Sequence, residues 1–398
     1  MNINNLPIEI LEIILIILDE KWHFILKNVC RKWHHIILSW CIRNDKSFTC
    51  LTTIDVAVKT ISLLRWSYKH QCPFTEIICS SAAATGNIDV LQYARARGCP
   101  WSEWTCVLAA KNNHFELLQW AYENGCPWDE WTCAWTARKG NLSLLKWLRK
   151  EDCPWDKYTY NFAVITGQIE LITWLYDQQC SWDEDTCSTA AEYGHLEILK
   201  WLRERKCPWG IWTCAWAAKN NHFELLKWAR ENGCPWDEWT CIWATQSNNK
   251  KILEWAIDED CPIDGWICAT AAKYGHNDLL KWCYEKGLPW DEDTCAWATL
   301  SGNIEILKWS RSMGCPWDER TCTNAVKIGN LEIFKWAYNN GCSWNRWTCT
   351  IAAEHGQLEV LKWANSKGCQ ITGLTRTLAA VNGHLEILDW INEQNMHK

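Results

Sequence analysis

CPWDEWTCAWTARKGNLSLLKWLRKED, residues 126–152, is one copy of a 27-residue pattern that recurs along most of this chain. Its leading Cys returns at Cys72, Cys99, Cys126, Cys153, Cys180, Cys207, Cys234, Cys261, Cys315, Cys342 and Cys369, with Leu288 in the one remaining place. Twelve units fill residues 72–395 without insertion or deletion. A unit this short cannot enclose a core and must stack on its neighbours. The expected fold is therefore all-α: a right-handed α-solenoid of helix–turn–helix units. Such arrays offer long surfaces for binding other molecules.

Numbering each unit 1–27 from its Cys, the positions sort by physical demand. Position 4 is Asp in seven units and Thr75, Ser102, Asn345 or Thr372 in four others, all residues that cap helix N-termini. The apolar residue before it, as in Trp128, Trp155 and Trp236, and the residue at position 8 occupy the two places of a hydrophobic staple. A first helix of about nine residues then ends at position 15, which is only ever Gly or Asn, as a left-handed backbone requires. Position 16 is His, Asn or Gln. A general base needs a particular pKa. The exchange of His195 for Asn141 or Gln168 therefore marks a hydrogen-bonding role. In the second helix position 18 is acidic in ten units, suiting the helix dipole, and Glu197 and Lys200 exemplify pairs three apart. Positions 19, 20 and 22 are apolar, and position 22 is Trp in every unit but that of Tyr93. Leu118, Trp120, Leu226, Trp228, Leu307 and Trp309 are thus expected in the core between units. The first helix is small at positions 7, 8, 11 and 12, which allows close helix approach and would place first helices on the concave side.

Cysteine numbers 25, and 21 of these fall at positions 1 and 8. The Cys-x6-Cys spacing matches no common zinc site and lacks regular His partners. These thiols are expected to pack as small apolar residues, with metal binding or disulfides as the alternative. No catalytic constellation, cofactor motif or metal motif stands out, so no enzyme, cofactor or metal is expected. Net charge is −7, which disfavours non-specific nucleic-acid binding. There is no apolar run of 18 residues and no signal-peptide pattern at the start, so a soluble, cytoplasmic monomer without membrane contact is expected.

Binding should use the positions that vary. Positions 6, 9, 10 and 13 share one face of the first helix. Position 6 holds Trp in six units but Asp185, Asp293 or Arg320 elsewhere. The expected target-binding residues are Trp104, Trp131, Trp135, Trp212, Trp216, Trp239, Trp243, Trp266, Trp297 and Trp347, with Trp212 to Trp266 forming one contiguous patch. The alternative is that these rings stack between units and bury one another. Lys250, Lys251 and Gly265 depart from the unit pattern, and a bend or frayed joint is expected near 247–265.

The stretches AAKNNHFELLQWAYENGC (109–126) and AAEYGHLEILKWLRERKC (190–207) resemble the Ala-Ala-x-x-Gly-His and Leu-Leu-x-x-Gly-Ala segments of ankyrin repeats. Ankyrin units run to 33 residues, six more than here, the loss falling where ankyrins make a β-hairpin finger. The resemblance implies helix pairs with little or no strand. The units are similar to ankyrin-like families expanded in giant DNA viruses, as in mimivirus-like F-box/ankyrin proteins. If the chain is viral, its place is the host cytoplasm.

The leading segment, residues 1–44, differs. Leu6, Pro7 and Glu9 open a helix, Leu18 follows, and Val29, Cys30 and Trp33 come after a second helical stretch. This resembles an F-box. The resemblance implies that Leu6, Pro7, Ile10, Leu11, Ile14, Val29 and Trp33 contact the Skp-type adaptor of a cullin–RING ubiquitin ligase, while the repeats capture a protein target. The alternative is a helical cap on the array, leaving a scaffold or decoy binder. Residues 45–71 read as a degenerate capping repeat, with Ser62 to Trp66 in register with the second helix. The unit at 369–395 reads as a C-terminal cap, and 396–398 as a tail.

Overall fold

The computed structural model describes residues 58–69, 74–345 and 347–396. The leading segment and its adaptor-facing residues lie outside them. Among the described residues there are 25 helices and no strand. These residues divide into two compact bodies, one ending at Thr186 and one beginning at Cys187. Each is a stack of helix pairs, so the fold is an all-α helical-repeat solenoid lacking the β-hairpin finger.

The unit from Cys99 represents the first body and that from Cys207 the second. Their first helices run Glu103–Lys111 and Ile211–Lys219, their second helices Phe115–Glu123 and Phe223–Glu231. The turn between them closes as expected: position 15 has a positive φ in all twelve units, from Gly86 at 72° to Gly383 at 74°, including Asn113, Asn221 and Asn248. His114 N–H reaches the Ala109 carbonyl and Asn113 N–H that of Ala110, the paired bonds of a Schellman ending. The degenerate repeat contributes the helix Ile61–Lys69, with Leu64 fully buried.

Side-chain capping follows position 4 with three exceptions, Thr75, Ser102 and Gly210. Asp129, Asp156, Asp237, Asp291 and Asp318 accept from the N–H two residues on. Thr372 forms a capping box with Thr375. Thr75 and Ser102 make no such bond, and their hydroxyls are buried without a partner. Position 16 works in two ways. Asn87, Asn141, Asn249 and Asn330 cap their own second helix through the side chain. His114, His222, His276 and His384 instead bring Nε2 to a carbonyl at the end of the preceding first helix, 3.0–3.3 Å away. The hydrogen-bonding role holds.

The core lies at positions 19, 20 and 23 of the second helix, for example Leu117, Leu118 and Ala121, or Ile198, Leu199 and Leu202. The leucines sit where expected, but the position-22 tryptophans, apart from the buried Trp282, do not. Trp120, Trp228 and Trp309 are half-buried. A helix stripe of three buried positions leaves the bulky ring at its margin. There Trp120 meets the edge of Trp101 at 6.1 Å and Trp228 that of Trp209. The position-3 rings are also covered from the preceding unit by position 24, which sequence reading left unassigned. Arg95 lies 3.9 Å over Trp101, Arg149 4.1 Å over Trp155, and Arg230 4.4 Å over Trp236. Tyr122 stacks on Trp128 at 3.8 Å. Each arginine also donates to the carbonyl of the next Cys, as Arg149 does to Cys153 at 2.6 Å. Position 27 is a second left-handed turn, with positive φ from Gly98 to Gly368, including the non-glycines Asp152, Gln179, Lys206 and Asp260.

Residues 250–258 form a regular helix capped by Asn249, with Ile252, Leu253 and Ala256 buried. Lys250 and Lys251 lie over the rings of Trp282 and Phe223 at 5.2 and 4.5 Å. The following first helix starts late, at Trp266, because Gly265 stands outside it.

Candidate binding surface

On the first helix, positions 7, 8, 11 and 12 turn inward: Thr213, Cys214, Ala217 and Ala218 are fully buried. Position 9 is buried as well, at Val107, Ala134, Ala215, Ala269 and Ala296. This corrects the four-position face. A first helix is flanked by the first helices of adjoining units, and their contact covers position 9. The open face consists of positions 6, 10 and 13.

Every expected aromatic residue remains at least partly accessible. Trp104, Trp212, Trp239, Trp266 and Trp347 are exposed, Trp104 to 55%. Trp131, Trp135, Trp216, Trp243 and Trp297 are half-buried. The rings also stack across units, so both sequence readings contribute. In the second body Trp212 stands 5.5 Å from Trp243 and 6.5 Å from Trp239, and Trp216 stands 4.5 Å from Trp243. Lys219 lies over both Trp216 and Trp243, at 4.3 and 4.6 Å. Trp266 instead pairs with Trp297 at 4.7 Å, beneath Lys273. Position 10 of its unit is Thr270, so the ring network pauses there.

The first body carries an equivalent group that sequence reading, attending to tryptophan, caught only in part. Trp131 stacks on Tyr158 at 5.3 Å and Trp135 meets Phe162 at 5.4 Å, with Lys111 over Trp135. Tyr158 is 41% exposed. Position 6 showing any aromatic residue was the available signal. Elsewhere position 6 is aliphatic (Ile77, Leu374) or charged (Asp185, Asp293, Arg320), and Arg320 bonds both Asp293 and Asp318.

The row has opposite electrostatic margins. Position 13 supplies Lys111, Arg138, Lys219 and Lys273, whereas positions 4 and 5 supply Asp129, Glu130, Asp237 and Glu238. Burial, then the neighbouring Glu130 or Glu238, pushes the carboxyls of Asp129 and Asp237 above the usual range. Cations over rings are already engaged with the chain's own aromatics, each such contact contributing ~0.5–1 kcal/mol at an exposed site.

No protein-family model matches the chain, and no curated protein matches it. Among solved structures, it is similar to the pentatricopeptide repeat protein PPR10 in complex with an 18-nt psaJ RNA element, at 12% identity and a TM-score of 0.42, over 98% of this chain and 62% of that one. It is also similar to PPR10 from maize, at 11% identity and a TM-score of 0.37, over 98% of this chain and 71% of that one. The chain thus spans less than two thirds of the first. Likeness at this level says nothing about what this chain binds. The fold itself defines the class: an all-α helical-repeat solenoid. Among the described residues, no helix is long and apolar enough to cross a membrane.

Proposed function

We propose that this chain is a non-enzymatic adaptor whose first-helix face captures a protein target and whose leading segment delivers it to a Skp–cullin–RING ubiquitin ligase. The observation that carries the first half is the open aromatic network of Trp212, Trp216, Trp239 and Trp243. Tryptophan in contiguous exposed clusters is costly to leave in water and concentrates at protein interfaces. A protein target is favoured over nucleic acid because the net charge is −7 and carboxylates such as Asp237 and Glu238 border the rings. The second half rests on Leu6, Pro7, Ile10, Leu11, Ile14, Val29 and Trp33 resembling an F-box.

Affinity capture with the full chain tests both halves. Wild type should retain the Skp-type adaptor and a target; Leu11→Asp should lose the adaptor alone; Trp212→Ala/Trp239→Ala should lose the target alone with unchanged circular dichroism. Adaptor binding that ignores Leu11→Asp would overturn the ligase assignment and leave a scaffold. Target retention by the double tryptophan variant would move the binding surface elsewhere.

A further inference from the structure

The thiols are arranged by pairs. The position-8 sulfur of one unit faces the position-1 sulfur of the next, twenty residues on. Cys79 meets Cys99 in this way, and Cys214 meets Cys234. One such pair, Cys349 and Cys369, is a disulfide, with Cα atoms 6.2 Å apart, inside the range a disulfide spans. The same two repeat positions recur throughout, so each pair presents equivalent backbone.

The exceptions are informative. At Leu288 the position-1 Cys is missing, and its expected partner Cys268 faces Cys283 instead, which replaces the usual Ala or Leu at position 23. Packing alone gives no reason for a new Cys to arise beside the orphaned one. Of 21 described cysteines, 19 free and two bonded, only Cys180 lacks a thiol partner, because position 8 of its neighbour is Tyr160.

We propose that these pairs are cross-linking sites, at which thiol–disulfide exchange with a small-molecule or protein disulfide staples each first helix to the start of the following unit. The step balances as two protein thiols plus one donor disulfide giving one protein disulfide plus two donor thiols. Two electrons and two protons pass to the donor. In the pairs that reach solvent the position-1 sulfur is the entering nucleophile: Cys126 (3% exposed) and Cys261 (5%) lie nearer solvent than their partners Cys106 and Cys241 (0%), whereas in pairs such as Cys133–Cys153 and Cys214–Cys234 both residues are fully buried. The mixed disulfide at position 1 is then resolved by the position-8 thiol. At Cys99 and Cys342 a hydrogen bond from the position-8 thiol holds the thiol below its ordinary range, favouring the thiolate that attacks, whereas at Cys153 the hydrogen bond with Cys133 and then burial push it up.

The full-length reduced protein, incubated with oxidised glutathione, alkylated and digested, tests this. The expected map links cysteines twenty apart, plus Cys268 to Cys283, leaves Cys180 without an intramolecular bond, and accompanies a higher melting temperature that dithiothreitol reverses. Cys283→Ala should return Cys268 to the alkylated pool without affecting the other bonds. Tyr160→Cys should add a bond to Cys180. Thiols that all stay alkylatable, or bonds that join cysteines in arbitrary combinations, would overturn the proposal.

Discussion

Lys206→Gly should stabilise this protein even though it removes an exposed side chain and adds no contact. Lys206 closes its unit at φ 62°, and Gln179 does the same at 58°. An L-residue in this region costs ~1–2 kcal/mol relative to its preferred conformations. Glycine escapes that strain but loses ~0.5–1 kcal/mol through its freer unfolded chain. The balance is a gain of ~0.5–1 kcal/mol per site. At Gly233, which makes the same turn in the next unit with φ 82°, an added Cβ would meet nothing within 4 Å. The effect there is one of backbone alone, and Gly233→Lys should cost what Lys206→Gly gains. Asp152 and Asp260 tolerate the left-handed region better, so their glycine variants should gain less. Repeat arrays need not unfold in one step, so urea midpoints should be read together with amide exchange. The change should localise to the turns around residue 206 or 233. A neutral or destabilising Lys206→Gly, or a Gly233→Lys that leaves protection unchanged, would refute the strain argument.

Asp237→Asn should raise stability at neutral pH while keeping the cap, since Asn345 makes the same bond to Trp347 N–H. Burial raises the folded-state pKa of Asp237, so its charged form opposes folding above that pKa and ceases to as pH falls through it. The gap between variant and wild type, followed by urea midpoint, should therefore close on acidification; a gap that widens would contradict the direction of the shift. Asn303→Ala removes an acceptor used by Glu305 and Ile306 N–H and should cost ~0.5–2 kcal/mol in thermal or urea unfolding. Arg230→Ala removes the cation over Trp236 and a bond to the Cys234 carbonyl and should cost ~1–2 kcal/mol, seen as faster amide exchange in the adjoining turn.

The features legible in sequence were those a single residue imposes on its own backbone. Position 15 accepts only Gly and Asn because its φ is positive, and that fixed the helix boundaries before any packing was known. What escaped were relations across unit boundaries. The Cys-x6-Cys spacing lies within a unit, yet every paired position-8 thiol except Cys268 meets its partner in the following unit. Position 24 seemed unconstrained for the same reason. It is Arg or Tyr ahead of every aromatic at position 3, from Tyr68 before Phe74 to Tyr338 before Trp344, and becomes Ile257 and Asn365 only ahead of Ile263 and Ile371. That co-variation was present in one sequence but invisible in a consensus taken unit by unit. Position 9 failed differently: a helical wheel gives a helix one buried stripe, whereas a helix in a stack has neighbours on both flanks. Open surface is therefore scarcer than amphipathic pattern suggests. An exposed Trp at position 6 or a half-exposed one at position 10 occupies one of the few places on the first helix where the array does not dictate the residue, which makes its recurrence at Trp212, Trp216, Trp239 and Trp243 the stronger pointer to a partner.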